Sequence, residues 1–347
     1  MLTDIRTISL PDLEVLFASW NQPRFRAKQL YEWLWAKSVA DWEGMTNLPK
    51  ELRSRLKADF SLYTLFEDAV QHSADGTIKT RWATHDGHRI ESVLIPVPDD
   101  ERFTVCVSTQ VGCSLTCAFC ATGRMGRKRN LEAYEIYDQV ALVNRQCIEA
   151  FGRPLTNVVY MGMGEPLLTY TNTMESIARL TAPPPMGLGM AARRITVSTA
   201  GIAKMIRKLA DDGYRSNLAL SLHAADDRKR NEIMPINESN NLEALLEALE
   251  YFYQKTKCRI SYEYIAFERF NDSIEDAANL VRLCRRRFHV RVNIIEYNPI
   301  EGVVFEKSEE NRLNAFAAHL AKNGVTVTVR RSRGKDIDAA CGQLANK

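Results

Sequence analysis

Apolar and polar positions change rhythm twice along the chain. Up to about residue 60 the rhythm is helical. "LPDLEVLFASW" has a Pro at a first-turn position, and "RFRAKQLYEWLWAK" puts Phe25, Leu30, Trp33 and Leu34 on roughly one face. "NLPKELRSRLKADF" opens with Asn47 in a capping position. Between residues 64 and 97 the pattern alternates and is rich in β-branched residues. "TIKTRWATHDGHRIESVLIPV", broken at "HDG", predicts a hairpin, and "PVPDDER" closes it as a boundary.

From about residue 103 short apolar strands alternate with longer helical periods. The strands are 103–108, 157–162, 194–199, 217–223, 260–266, 292–298 and a last one at 325–332. Helical stretches such as "NLEAYEIYDQVALVNRQCIEAF" and "SIEDAANLVRLCRRRF" lie between them. This alternation predicts a parallel sheet with crossover helices, hence the α/β class. Six units make either a doubly wound sheet or an incomplete (βα) barrel, and periodicity alone leaves both open. In either, the active site lies beyond the C-terminal strand ends. No internal repeat or low-complexity segment interrupts the pattern.

Composition adds little: 45% hydrophobic and 26% charged residues, with a net charge of +3, are ordinary for a soluble globular protein. No apolar run is long enough to span a bilayer, and "MLTDIRTISLPDLEVLF" is not a secretory signal. A cytoplasmic location is the expectation. Cysteines are more telling. Eight occur, at 106, 113, 117, 120, 147, 258, 284 and 341. In a reducing compartment, clustered cysteines point to metal or catalysis rather than to disulfides.

"VGCSLTCAFCATG" spaces Cys113, Cys117 and Cys120 as C-x3-C-x2-C directly after the first core strand. Three thiolates can hold three corners of a [4Fe–4S] cube, leaving one iron for a non-protein ligand. A structural zinc ion needs four ligands, and Cys106, on the strand, is the available fourth. The glycines of "MGMGEP" (161–166), Gly164 among them, permit close approach of a ligand, and Glu165 can accept hydrogen bonds from a cationic amine. Ser198, the triplet Ser221, Leu222 and His223, and Asn298 end successive strands and point to the same rim. Each taken singly is as readily a strand-capping polar residue.

The three-cysteine spacing resembles the radical S-adenosylmethionine (SAM) superfamily. In combination, "CVSTQVGCSLTCAFCATG", "MGMGEPLL", "RRITVSTAG", "SLHA", "MPIN", "YNP" and "DIDAACGQL" resemble the bacterial dual-specificity RNA methyltransferases of the RlmN type, over essentially the full chain. That resemblance implies an incomplete (βα)6 barrel core at 99–337, an N-terminal helical RNA-binding accessory domain at 1–62, a β-hairpin extension at 63–98 and a catalytic tail at 338–347. It implies one [4Fe–4S] cluster on Cys113, Cys117 and Cys120, with SAM held by Gly164, Glu165, Ser198, Ser221, Leu222, His223 and Asn298. The implied product is 2-methyladenosine in 23S ribosomal RNA, before full ribosome assembly, and in transfer RNA.

Carbon 2 of adenine is not a nucleophile, so the implied route is indirect. Cys341 takes a methyl group from SAM, and a 5′-deoxyadenosyl radical from a second SAM removes a hydrogen from it. The resulting carbon radical adds to C2. Cys106 then attacks the Cys341 sulfur, leaving a disulfide, and Glu91 accepts the C2 proton. An electron donor such as flavodoxin and a disulfide reductant are implied partners; a monomer with no membrane attachment is expected. Cys147, Cys258 and Cys284 read as packing residues, and His72, His85, His88, His289 and His319 show no metal-binding spacing.

Basic runs at Arg124, Arg127 and Arg129, at Arg330, Arg331 and Arg333, and at Arg24, Arg26, Lys50, Arg53 and Arg55 stand where RNA phosphates would be gripped. Three rivals remain open at this point. A sister enzyme methylating C8 would use the same cysteines; a sulfur-inserting enzyme would need a further cysteine triad; a zinc-dependent RNA-binding protein would lack iron.

Overall fold

The computed structural model describes residues 2–346. Three helices, α1 (Leu10–Ser19), α2 (Phe25–Trp35) and α3 (Lys50–Asp59), precede a meander of β1 (Phe66–His72), β2 (Ile78–Ala83) and β3 (Arg89–Val97). The core begins with β4 (Arg102–Cys106), followed by β5 (Gln110–Val111), α4 (Ala121–Arg124), β6 (Arg129–Asn130) and α5 (Ala133–Phe151). Then come β7 (Asn157–Tyr160), α6 (Tyr170–Thr181), β8 (Ile195–Thr199), α7 (Ala203–Asp211), β9 (Asn217–Ser221), α8 (Asp227–Ile233) and α9 (Leu242–Thr256). The chain continues through β10 (Ile260–Ala266), α10 (Ile274–Cys284), β11 (Val290–Glu296), α11 (Glu310–Lys322) and β12 (Thr326–Arg330).

Strand order settles what periodicity left open. The large sheet runs β1-β2-β3-β4-β7-β8-β9-β10-β11-β12, antiparallel up to β4 and parallel from there on. A doubly wound sheet reverses its order at a switch point; this one never does. The result is a partial (βα)6 barrel, left open because β12 is an edge strand. Burial agrees: β10 and β11 are almost continuously buried, as sheets covered on both faces are, whereas β12 alternates between exposed and half-buried.

The predicted hairpin is present as β2 and β3, turning at His85 to Gly87, and it gains a third strand, β1. Two local expectations in the helical region are corrected. Asn47 does not cap α3, whose cap position is Pro49 with no side-chain cap bond; the Asn47 amide oxygen accepts from the Trp33 indole instead. The buried face of α2 is Ala27, Leu30, Tyr31 and Leu34, while Phe25 is exposed and Trp33 half-buried. α2 packs chiefly against α1, and Trp35 at its end meets Tyr137 of α5 edge-on at 5.1 Å. Buried Arg6 adds a polar staple, donating to both Asp138 carboxylate oxygens at 2.8 Å.

The chain end is tied down. Asp336 accepts from the Ser73 hydroxyl at 2.5 Å and the Ala74 N–H at 3.1 Å, and the Gly334 N–H donates to Asp75 at 3.0 Å. The turn between β1 and β2 therefore receives the tail. Among the described residues, no helix is long and apolar enough to cross a membrane.

Candidate active site

The three-cysteine loop follows β5 and folds tightly on itself. A Cβ on Gly112, which has φ of +75°, would stand 1.9 Å from the Gly126 carbonyl oxygen, and one on Gly123 would stand 2.8 Å from that of Leu115. Only glycine fits either place. The Ala118 N–H donates to the Ile233 carbonyl at 3.0 Å, and Phe119 packs edge-on against His223 at 4.8 Å, in a small apolar core with Met234, Ile265 and Phe267. The loop is thereby fixed to the C-terminal ends of β9 and β10.

Burial pushes the Cys113 thiol up to about 11, with Cys120 contributing. Burial raises Cys117 further, with Cys120 and Cys113 adding repulsion. The three thiols thus sense one another, yet no three or more His, Cys, Asp or Glu among the described residues sit close enough together to hold a single metal ion. A cluster binds thiolate, so on these three residues iron would supply the charge that opposes the upward shifts. Cys106 is no fourth member. Its thiol, raised by burial, is influenced by Cys341.

Cys106 ends β4 and is nearly buried; Cys341 belongs to the tail and its side chain is exposed. The surrounding protein nonetheless raises the thiol: burial is the largest cause, and Glu263, Arg330 and Cys120 all act on it. Stitching places the tail there. The Ala121 N–H donates to the Gly342 carbonyl at 2.8 Å, and the Thr122 hydroxyl to that of Leu344 at 2.6 Å. Beside it a cavity of about 580 Å³ opens between Ala121 and Arg124, the loop Pro299–Gly302, and Asp338 and Gln343 of the tail.

Glu91, the proton acceptor that the resemblance implies, is 0% exposed on β3. Its Oε2 accepts from the N–H groups of Ala345 and Asn346 at 2.9 and 3.0 Å, and its Oε1 lies 3.5 Å from Lys79 Nζ. The remaining expected residues gather at the same strand ends. Glu165 accepts from Leu167 N–H at 3.0 Å and Ala200 N–H at 2.7 Å; burial raises its pKa against these bonds. Ser198 and Ser221 hydroxyls are 3.2 Å apart, and Asn298 donates to the Ser332 hydroxyl at 2.9 Å. His223 has φ of +55°, and its Nδ1 accepts the Ile265 N–H at 3.1 Å, so the neutral ring carries its proton on Nε2. Burial, with help from Arg230, lowers its pKa to about 3.

Known proteins bear on this arrangement. Residues 3–62 match the family model for the ribosomal RNA large subunit methyltransferase N-terminal domain, and residues 107–281 match that for the radical SAM superfamily. A protein of Christiangramia forsetii named probable dual-specificity RNA methyltransferase RlmN is 51% identical over 344 residues, spanning 99% of this chain and 96% of its own. The chain belongs to the RlmN family. Another RlmN relative, from Cytophaga hutchinsonii, is 51% identical over 99% of this chain and 93% of its own. A crystal structure of a radical SAM methyltransferase from Sphaerobacter thermophilus superposes with a TM-score of 0.93 at 41% identity, covering 99% of this chain and 100% of that one.

Membership in the RlmN family makes the chain a radical SAM RNA methyltransferase, which removes the zinc-dependent binding protein and the sulfur-inserting enzyme from consideration. One reading of the glycines changes. A Cβ on Gly164, with φ of +99°, would stand 2.6 Å from Gln110 Cβ and Cγ, so its absence serves the chain's own packing. Several residues around this RlmN site were not singled out from sequence. Arg230, 0% exposed, donates to the carbonyls of Leu222, Ala200 and Ser221 and to Asn237 Oδ1 at 3.1, 2.5, 3.2 and 2.5 Å. Glu263 and Glu296 are buried carboxylates on β10 and β11. Their signal was available: an acidic residue inside an otherwise apolar strand. Arg230 had no such signal, since "DRKRNEI" reads as an exposed charged helix.

The basic runs divide. Arg129 is held by Asp86 and Glu135 at 2.5 and 2.7 Å, Arg331 by Glu296 at 2.6 Å, Arg24 by Glu14 at 2.5 Å and Arg53 by Glu43 at 2.8 Å. Arg124, which lines the cavity, and Arg127 and Arg333 donate instead to the Glu301 carbonyl, the Asn130 side-chain oxygen and the Asp75 carbonyl, and among the described residues none of the three forms an ion pair.

Proposed function

We propose that this chain forms 2-methyladenosine in 23S ribosomal RNA and in transfer RNA, with Cys341 as methyl carrier, Cys106 as the thiol that resolves the protein–RNA adduct and Glu91 as proton acceptor. The observation that carries the reading is the stitching of the Cys341 tail onto the three-cysteine loop, by Ala121 N–H to the Gly342 carbonyl at 2.8 Å and the Thr122 hydroxyl to the Leu344 carbonyl at 2.6 Å, which leaves Cys341 within electrostatic reach of Cys106 at the end of β4. The dual-specificity name of the relatives supports C2 of adenine as the target rather than C8.

A [4Fe–4S] cluster on Cys113, Cys117 and Cys120, with SAM, supplies when bound a methyl cation equivalent and one-electron cleavage of a carbon–sulfur bond. The chain's residues do the rest. Gly164, Glu165, Ser198, Ser221, Leu222, His223 and Asn298 line the strand-end rim where that cofactor would sit. Neutral His223 offers an Nε2–H donor there, and Arg230 holds the loops after β8 and β9 from behind. Cys341 gives up its thiol proton and takes the methyl group. Once the carrier carbon is joined to C2, Glu91 accepts the C2 proton. The adduct also gives up one electron, and Cys106, as thiolate, then attacks the Cys341 sulfur: an S–S bond forms as the S–C bond breaks, the carbon leaves with the bonding pair and takes up a proton to become the methyl group of the product. An external one-electron donor and a reductant for the Cys106–Cys341 disulfide complete the cycle.

RNA is gripped by its phosphates, with the target base extruded into the mouth. Arg124, Arg127 and Arg333 serve this grip, and residues 1–62 form an RNA-binding accessory unit. The test is mass spectrometry of the C-terminal peptide from anaerobically prepared protein, alongside nucleoside analysis of treated RNA. A methyl group on Cys341 and new 2-methyladenosine are expected; Cys341→Ala loses both, and full activity in that variant would falsify the reading. Cys106→Ala is expected to remain joined to RNA, and its recovery free of RNA after turnover would remove the role assigned to Cys106.

A further inference from the structure

Lys79 is a lysine that is 3% exposed, and the reaction as described gives it no task. It lies on β2, where Lys79 is in register with Val93 and Arg81 with Glu91 of β3. Lys79 and Glu91 are therefore diagonal neighbours on one face of the hairpin. Lys79 Nζ is 3.5 Å from Glu91 Oε1 and equally 3.5 Å from the Asp338 carbonyl oxygen, to which it donates. The same hairpin takes the far end of the tail. Glu91 Oε2 accepts from Ala345 and Asn346 N–H, Arg81 donates to the Asn346 carbonyl at 3.2 Å, and the Asn346 side-chain amide donates to the Arg89 carbonyl at 2.9 Å. The chain is thus gripped three residues before Cys341 and again four residues after it.

We propose that the β2–β3 hairpin is a latch for the carrier tail, with Lys79 a positioning residue that sets where the Cys341 sulfur stands. This rests on the reading of Cys341 as carrier. Glu91 divides its work between two oxygens. Oε2 holds the tail by charge-assisted bonds, while Oε1 accepts no hydrogen bond among the described residues and faces the Lys79 ammonium at 3.5 Å, so it is the oxygen left to take a proton. The C2 proton arriving on Oε1 neutralises the carboxylate, weakens both bonds to the tail and leaves Lys79 without its counter-charge. Proton acceptance thereby loosens the tail at the stage when the Cys341 sulfur must turn towards Cys106.

The test needs neither SAM nor RNA. Hydrogen exchange of the C-terminal peptide and the rate of Cys341 alkylation by iodoacetamide are measured on the full anaerobic chain. Lys79→Met is expected to raise both by about tenfold or more, and Lys79→Arg to restore them. Ala345→Pro, which deletes one N–H donor to Glu91 Oε2 and leaves the Lys79 and Glu91 side chains in place, is expected to do the same as Lys79→Met with exchange in the barrel unchanged. Should Lys79→Met unfold the chain, Ala345→Pro decides alone. Tail exchange within twofold of wild type in Ala345→Pro overturns the latch. Absence of 2-methyladenosine from wild-type reactions would instead strike the carrier reading and leave the exchange result standing.

Discussion

Replacing Gly164 by Ala tests how tightly the β7 loop is coupled to the site. The added Cβ would stand 2.6 Å from both Gln110 Cβ and Cγ and 2.9 Å from its backbone nitrogen. Gln110 has little freedom to retreat: its Oε1 accepts from Glu165 N–H at 3.0 Å, its Nε2 donates to Asn130 at 2.9 Å and its own N–H donates to Met163 at 3.2 Å. A non-glycine residue at φ of +99° carries about 1–3 kcal/mol of strain. Overpacking adds roughly 1–3 kcal/mol. Together these amount to about 2–6 kcal/mol, or a fall in melting temperature of roughly 4–12 °C at ~2 °C per kcal/mol for a chain of this size. The strain passes through Glu165 to Ala200, so SAM affinity is expected to weaken as well.

The assay is thermal unfolding with equilibrium dialysis of SAM on anaerobically reconstituted protein. Gly213→Ala is the control, having φ of +71° but nothing within 4 Å of the new carbon; it is expected to cost only about 1–2 kcal/mol of conformational strain and to leave SAM binding alone. Equal melting temperatures for the two variants, with unchanged SAM affinity in Gly164→Ala, would refute the argument.

Cys117→Ser is expected to fall well short of the about four irons per chain of an intact cluster, measured by iron analysis and visible absorption; a full complement would remove Cys117 from the ligand set. Burial and the nearby Glu263 carboxylate hold the Cys341 thiol above its ordinary pKa of 9.0, so alkylation of the C-terminal peptide in iron-free protein is expected to reach half its maximal rate only above that pH; a midpoint at or below it contradicts the placement. Burial opposes ionisation of Glu296, but hydrogen bonds from Lys335, Arg331 and the Ser332 N–H, with the charge of Lys307, bring its pKa down to about 2 from 4.5. A depressed carboxylate stabilises the fold above its unfolded pKa and loses that contribution as pH falls through the folded one. Glu296→Gln is therefore expected to melt below wild type near pH 7, with the gap closing between about pH 4.5 and pH 2; a gap independent of pH would show that the charge does not matter.

Much of the fold was legible because local rules govern it. The seven core strands lie where apolar runs of strand length alternate with helical periods. The loop of Cys113, Cys117 and Cys120 could be read because cluster ligation from a single loop depends on spacing along the chain. Where local rules failed, a tertiary partner had won: the Trp33 indole took the oxygen of Asn47 that would have capped α3, and packing against α1, with Trp35 on Tyr137, rather than helical periodicity alone chose which side of α2 is buried.

Residue pattern by itself determined the α/β class, the strand–helix alternation and the grouping of Cys113, Cys117 and Cys120 in one loop, since each depends on near neighbours in sequence. Only the tertiary structure decided between a doubly wound sheet and a partial barrel, because strand order is set by which strands pair and not by what each contains. It alone buried Glu91 beneath Ala345 and Asn346, backed Ser221 and Leu222 with Arg230, and brought Cys341 to Cys106. Those contacts join residues from opposite ends of the chain, and their free energy exists only once the strands and the tail have found one another.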